Sequence, residues 1–330
     1  MRKLFLVALF PTFASAFSIC LAAQPIDAAP QEKQVQQAKD IDKVKQHFDK
    51  GEEFKKKKDW GHAIEEYSEA IELNPKYAEA YNNRGIAYLE MLYYDKALAD
   101  FDKAIELNPN SVNAHYNRAC AHYSKRNFSQ AILDFSKIIS LLPNNDAAFY
   151  YRGNAYLNIG DYDKAIQDYS ETIRLNPKDA DAYNNRSAAY RRKGDYDQTI
   201  KDANEAIKIR PGDANAYYNR GIAHSEKGDY DKAIADYSKT IELNPDIAGV
   251  FDRLQSANIE SMIKENSNAI KLDSNNARAY YNRGRAYYEK GDYERAAEDF
   301  DIAVKLNPFD AYARNFRDRT YTILRNRESK

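Results

Sequence analysis

The chain has 330 residues, of which 43% are hydrophobic and 30% charged, and a formal net charge of -1. That balance offers no field to draw in nucleic acid or an anionic membrane surface, while the charged fraction keeps the exterior solvated. Lys55 to Lys58 form the one basic run, and no Gly-rich phosphate loop or nucleophile motif suggests an enzyme or a cofactor.

Residues 1–23, "MRKLFLVALFPTFASAFSICLAA", open with a short basic stretch, continue as an apolar run and end in small residues. That layout predicts a secretory signal peptide cleaved near Ala22 or Ala23, with Ala16 as a second site, and an extracytoplasmic, periplasmic or secreted protein. The run from Leu4 to Ala23 also has about the ~20 residues that span a bilayer, so an uncleaved N-terminal anchor is the alternative. Pro11, Thr12, Ser15 and Ser18 weaken that alternative, and the bulky Ile19 before Cys20 counts against a lipoprotein signal. Cleavage leaves Cys120 as the sole cysteine, so stability must come from packing rather than from a disulfide. Residues 24–43 are polar and Gln-rich and read as a linker, flexible at its start and already able to be helical at its end.

Beyond the linker the prolines form one series: Pro75, Pro109, Pro143, Pro177, Pro211 and Pro245 stand 34 residues apart, and Pro308 follows 63 residues later. Each ends a helix that cannot continue through it. Between them, apolar residues recur every three or four positions in two runs split by "GDY" or a relative, which predicts helix, turn, helix. Full units start at Val44, Ala78, Val112, Asp146, Ala180, Ala214 and Ala277. Six regular units therefore occupy 44–247, a shortened degenerate unit 248–276 and a seventh regular unit 277–310. Residues 311–330 read as a capping helix and tail. One helix pair cannot bury its apolar face; a stack can.

In the fourth unit Phe149, Gly153, Tyr156, Ala165, Tyr169, Thr172 and Pro177 stand at positions 4, 8, 11, 20, 24, 27 and 32. With this pattern held across 44–310, the chain resembles the tetratricopeptide-repeat (TPR) family. The resemblance implies an all-α, right-handed superhelical solenoid whose first helices line a concave groove and whose last helix caps the stack. It also implies a non-enzymatic module that binds a protein or peptide.

Position 7, usually Leu in that family, holds Arg84, Arg118, Arg152, Arg186, Arg220 and Arg283. Sixteen residues on stand Asp100, Asp134, Asp168, Asp202, Asp236 and Asp299, and the first unit changes both together, to Lys50 and Glu66. The spacing predicts ion pairs between paired helices or between neighbouring units; the bland reading is two independent solvated charges. Position 6, which the resemblance places in the groove, holds Asn83, Asn117, Asn185, Asn219 and Asn282, with Tyr151 the break. Asparagine inside a helix is disfavoured by several tenths of a kcal/mol relative to alanine, so five of them imply a use. Such a column could hold the backbone of an extended peptide; equally, repeat duplication could have copied it. Tyr116, Tyr150, Asn154, Tyr218 and Tyr281 join the candidate peptide-binding set at positions 5 and 9.

Chaperone-binding relatives clamp a C-terminal carboxylate with cations at positions 2, 5 and 6, a combination that no run of units has here, which counts against a chaperone tail as ligand. Arg191 and Arg192 could still hold one acidic group. His115, Cys120 and His122 point different ways round their helix, so no metal site is expected. In 248–276 five residues are missing relative to the period, about 500° of helix rotation. That predicts a distorted joint that interrupts the groove, with one continuous long helix as the runner-up. A scaffold of the cell envelope working through its convex or end surfaces is the alternative function.

Overall fold

A computed structural model describes the backbone over residues 28–328 and side chains over 40–327. The signal-peptide segment 1–23, residues 24–27 of the linker and residues 329–330 lie outside the described residues. Among the described residues there are sixteen helices and no strand. Helices α1 (Ala28–Lys56) and α2 (Trp60–Leu73) form the first pair, followed by α3 (Ala78–Glu90) and α4 (Tyr94–Leu107), then α5 (Val112–Ser124) and α6 (Phe128–Leu141). Next come α7 (Asp146–Ile159) and α8 (Tyr162–Leu175), α9 (Ala180–Lys193) and α10 (Tyr196–Ile209), and α11 (Ala214–Glu226) and α12 (Tyr230–Leu243). A single long helix, α13 (Val250–Leu272), precedes the pair α14 (Ala277–Lys290) and α15 (Tyr293–Leu306) and the terminal α16 (Ala311–Glu328).

Each helix packs on the ones before and after it in the chain, which makes the molecule a solenoid. Alanines at position 20, such as Ala63, Ala97, Ala131 and Ala165, are fully buried and let the helices of a pair approach closely. The space is filled by an aromatic ring at position 24, Tyr67, Phe101, Phe135, Tyr169, Tyr237 and Phe300, in every regular unit but the fifth, where Ala203 stands. Gly85 is small for the same reason: a Cβ there would stand 2.6 Å from Cε1 of Phe101. First helices also touch the next first helix, at α3–α5, α7–α9, α9–α11 and α11–α13, whereas no comparable contact joins successive second helices. The first helices therefore lie on the inside of the curve, and their outward-turned faces form its concave surface.

Within a unit the two helices are joined by a tight turn whose pivot residue is left-handed. Gly160, Gly194, Gly228 and Gly291 take it at φ 75–86°, but Lys58, Leu92 and Arg126 occupy it in the first three units. A side chain with a Cβ is strained there. Leu92, 66% exposed, has nothing to gain from the position in return. Leu92→Gly is expected to raise stability by about 1 kcal/mol, read as a higher denaturation midpoint.

Two assignments change. Helix α1 begins at Ala28, so 28–43, read as linker, is helical; its Gln, Lys, Glu and Ala residues are good helix formers, and Pro30 stands in the first turn, where no N–H is missed. Residues 250–272 are one continuous helix, the runner-up reading, rather than a distorted pair. The physical reason lies in what was deleted. Without a "GDY" turn to cap one helix and start the next, nothing breaks the ladder, and first and second helix fuse. One reversal of direction is thereby lost, so α14 runs opposite to the first helices before α13. At the far end α16 covers the stack with Phe316, 5.7 Å from the Phe300 ring and 6.0 Å from Tyr281.

Candidate functional site

The concave face rests on a framework of arginines. In each of the six units Arg Nε and Nη2 donate to the two carboxylate oxygens of its Asp sixteen residues on, at 2.6–2.9 Å. These are Arg84–Asp100, Arg118–Asp134, Arg152–Asp168, Arg186–Asp202, Arg220–Asp236 and Arg283–Asp299, each joining the two helices of one unit. The carboxylates are buried. The third arm, Nη1, reaches back to the preceding helix, to Ser68, Asp102, Ser136, Ser170, Asn204 and Ser267 in turn. One guanidinium thus ties three helices across two units, with its planar fork fully used. In the first unit Lys50 stands 4.0 Å from Glu66, whose nearer partner is His47 at 2.7 Å.

The position-6 amides also hold neighbouring first helices together. Asn117 donates to Asn82 Oδ1 at 2.9 Å, Asn219 to Asn184 Oδ1 at 2.9 Å, and Asn185 to both Asn154 Oδ1 at 2.9 Å and the Tyr150 hydroxyl at 3.1 Å. Asn83 is buried, accepts from Asn82 and donates to Glu52 at 2.6 Å. Asn82, undecided from sequence, is therefore part of this ladder. Half-buried Asn117 and Asn185 each spend one polar end on the neighbouring helix. Whichever way round the amide lies, its other end faces the groove. Among the described residues the Asn282 side chain has no hydrogen-bond partner, and it stands beyond α13, on a first helix that runs the other way.

The next rung after Asn219 is instead Arg253, 34 residues on, at the start of α13. Its Nε donates to the Tyr218 hydroxyl at 3.1 Å, across the same 35-residue step as the Asn117, Asn185 and Asn219 bonds. Sequence reasoning missed it because 248–276 was recognised by its second-helix ending, although the 34-residue step from Asn219 points straight at it.

The tyrosines are half-buried anchors. Tyr116, Tyr150 and Tyr151 form one cluster, with Tyr151 edge-on to Tyr116 at 5.7 Å and to Tyr150 at 5.3 Å, and stacked on Phe135 at 5.9 Å. Tyr151, at 36% exposure, is the most open of the three. Tyr218 and Tyr281 lie tilted against Tyr237 and Phe300, at 6.2 and 6.1 Å. Burial raises the Tyr116 and Tyr150 phenols above their ordinary range, so both stay neutral donors. Tyr169, fully buried, donates to Asn154 at 2.7 Å and so fixes the amide that receives Asn185.

Histidines at this face are structural. His115 lies between Asp134 at 2.8 Å and the Pro109 carbonyl at 3.1 Å, fixed in place by both ring nitrogens. His224 is buried with no hydrogen-bond partner on Nδ1, and Asp229 stands 3.7 Å away, too far for a bond. Burial lowers its pKa below the ordinary 6.5, with Lys232 and Arg220 pushing the same way and Asp236 and Asp229 opposing. The unfolded chain therefore takes up the proton first as pH falls below 6.5, and stability declines from there toward the lower folded value. Other units carry tyrosine at this position, among them Tyr156 and Tyr190. His224→Tyr should flatten the drop in thermal midpoint between about pH 7.5 and 5.5.

Sequence models described as tetratricopeptide repeat match 78–111, 147–179, 214–247 and 277–310 in one form and 101–132 and 169–201 in another, and a TPR repeat model matches 51–91 and 187–228. The chain is a tetratricopeptide-repeat protein. Among solved TPR structures, YrrB, described as a TPR protein with an unusual peptide-binding site, is 25% identical with a TM-score of 0.50, over 56% of this chain and 96% of YrrB. A tetratricopeptide repeat protein from Parabacteroides merdae is 20% identical with a TM-score of 0.56, over 85% of this chain and 99% of its own, a likeness of fold. A comparison with curated proteins finds no match. TPR proteins are in general protein-interaction modules, and no catalytic family is indicated. Among the described residues no helix is long and apolar enough to cross a membrane.

Proposed function

We propose that this TPR protein is a non-enzymatic binding module that holds an extended peptide or partner segment along the concave face of its first six units. One observation carries this reading: the half-buried amides of Asn117 and Asn185 are clamped at one end by the neighbouring helix and open at the other, beside Tyr116, Tyr150 and Tyr151. Fixed amides offer a backbone both donor and acceptor without loss of rotamer freedom, and fixed tyrosines add apolar area with a polar tip. YrrB supports the reading by analogy, since its description names a peptide-binding site. With the signal peptide removed, the module would work outside the cytoplasm, and signal cleavage is read directly from the N-terminal sequence of the mature protein.

The test is a hydrogen-exchange footprint of the full chain with a peptide selected on it from a random display library. Slowed exchange on α5, α7, α9 and α11 is expected. Protection confined to second helices or to the C-terminal end would instead favour a scaffold acting through other surfaces. Phe309, just before α16, and Tyr312, in its first turn, exposed at 90% and 74%, are the observation behind that second reading.

A further inference from the structure

The net charge of -1 averages over an uneven surface. The turns inside the first six units line one edge of the stack. In units four to six they share one chemistry: glycine at the left-handed pivot and an aspartate after it. Asp161 and Asp195 accept from a backbone N–H of the helix that follows and so cap it. In units one to three the pivots are Lys58, Leu92 and Arg126, held at φ 59–62°. The second turn departs furthest from the later ones. Leu92 stands in place of their glycine and strains the backbone, and Tyr93 stands in place of their aspartate and leaves α4 without a side-chain cap. Both replacements are unfavourable for the fold, yet with Met91 they turn three large side chains to solvent, at 38%, 66% and 50% exposure in chain order. Strained, uncapped and apolar together, this turn serves something other than the fold.

Cations flank it on both sides. In the first turn Lys56, Lys57 and Lys58 are exposed and, unlike Lys55 with Glu52, have no carboxylate within 4.0 Å among the described residues. In the third turn Arg126 is likewise exposed and unmatched, beside Lys125, whose ion pair with Asp95 at the start of α4 sets the third turn against the second. Lys96 adds a charge between them, its Nζ 5.4 Å from the centres of the Tyr88 and Tyr93 rings. The aspartate of the later turns is missing at both Tyr93 and Asn127, which removes negative charge from the same stretch. Neighbouring helices pack about 10 Å apart, so the three turns form a row about 20 Å long, apolar in the middle and cationic at both ends.

We propose that this edge is a membrane-contact surface, at which Lys57, Lys58 and Arg126 meet anionic lipid headgroups while Met91, Leu92 and Tyr93 enter the boundary between headgroups and acyl chains. Shape favours a lipid surface over a protein. The apolar element is a protruding tip and not a groove, and most of the cations beside it are long, exposed and without a fixed partner. Such a tip suits a fluid anionic layer, which closes round whatever enters it, whereas a protein would have to offer a socket of matching shape. The contact is peripheral, and it lies on the turn edge and not on the concave face. It therefore stands independently of the peptide-groove reading, and one molecule can hold a segment in its groove while its edge rests on a membrane.

Trp60, the single tryptophan of the chain, opens α2 two residues after Lys58 and reports on this edge. The experiment follows its emission in the full chain as vesicles of phosphatidylcholine with brominated acyl chains are added, with and without an equal share of phosphatidylglycerol. Anionic vesicles should quench wild type and zwitterionic ones should not, and about 0.5 M salt should reverse the quenching. K58Q/R126Q should weaken partition to the anionic vesicles about tenfold, while K178Q/K208Q, the same change of charge in the loop after α8 and on α10, should leave it within about twofold. Leu92→Gly should weaken it about fivefold while raising the denaturation midpoint, a split that a purely structural residue would not give. Equal quenching by zwitterionic vesicles, equal loss in the two charge variants, or wild-type partition of Leu92→Gly would each overturn the proposal. So would no quenching of wild type at all, which would leave the edge to an acidic protein surface.

Discussion

Replacing Asp202 with alanine is expected to destabilise the fifth unit by about 3 to 5 kcal/mol, because it strands a guanidinium that the fold holds out of water. Arg186 reaches Asp202 through Nε and Nη2 at 2.7 and 2.8 Å, and Asp202 is 1% exposed. The remaining arm, on Ser170 at 2.9 Å, cannot neutralise the charge. Arg186→Ala should cost somewhat less, since Arg186 keeps part of its surface in water while its removal still leaves a buried carboxylate unpaired. The double variant should be less damaged than the sum of the two singles, with a coupling above about 1 kcal/mol. Replacing both by apolar residues of similar volume, as in R186M/D202L, should recover much of the loss. Repeat arrays unfold in parts, so the readout is hydrogen exchange in α9 and α10 rather than one global midpoint. Simple additivity of the singles would show that the pair is two solvated charges after all.

Asn258→Pro is the second large effect. Asn258 is exposed and near the middle of α13, so the substitution touches the helix backbone and little else. A proline there removes an interior hydrogen bond and clashes with the preceding turn, at about 3 kcal/mol or more. The consequence reaches beyond one helix. Arg253 and Tyr218 join the first half of α13 to the sixth unit, while Arg283 and Ser267 join its second half to the seventh. Breaking α13 uncouples the two, and denaturant unfolding should separate into a transition of the first six units and one of α14 to α16. Hydrogen exchange in wild type should be as slow across 250–272 as in the flanking helices; fast exchange there would restore the weak joint.

What was legible in the sequence follows from where the repeat is strict. Proline spacing, small residues at position 20 and the aromatic at position 24 fix helix–turn–helix units, and the same positions form the buried core. The Arg–Asp partnership was readable because it recurs at sixteen residues and because Lys50 and Glu66 change together. Its third arm was not, since the Ser, Asp or Asn that receives Nη1 varies from unit to unit. The Asn column was visible, but one sequence could not say that Asn117, Asn185 and Asn219 each spend one end on the neighbouring first helix. That bond joins position 6 to position 5 of the previous unit, and position 5 is Asn in some units and Tyr in others. Arg253 was hidden by the missing turn, which moved attention to the wrong end of its helix.

The proposed working surface is the first-helix face and not the outer one. The most direct measurement is the affinity of one display-selected peptide, by titration calorimetry, for wild type, Tyr151→Ala/Asn185→Ala on the inner face and Leu133→Ser on the outer. Leu133 is a fair control, being 62% exposed on the second helix α6. With all three showing wild-type helical circular dichroism, the inner-face variant should bind about tenfold or more weakly and the outer one unchanged. Loss of binding in Leu133→Ser, with the inner-face variant unaffected, would contradict the account.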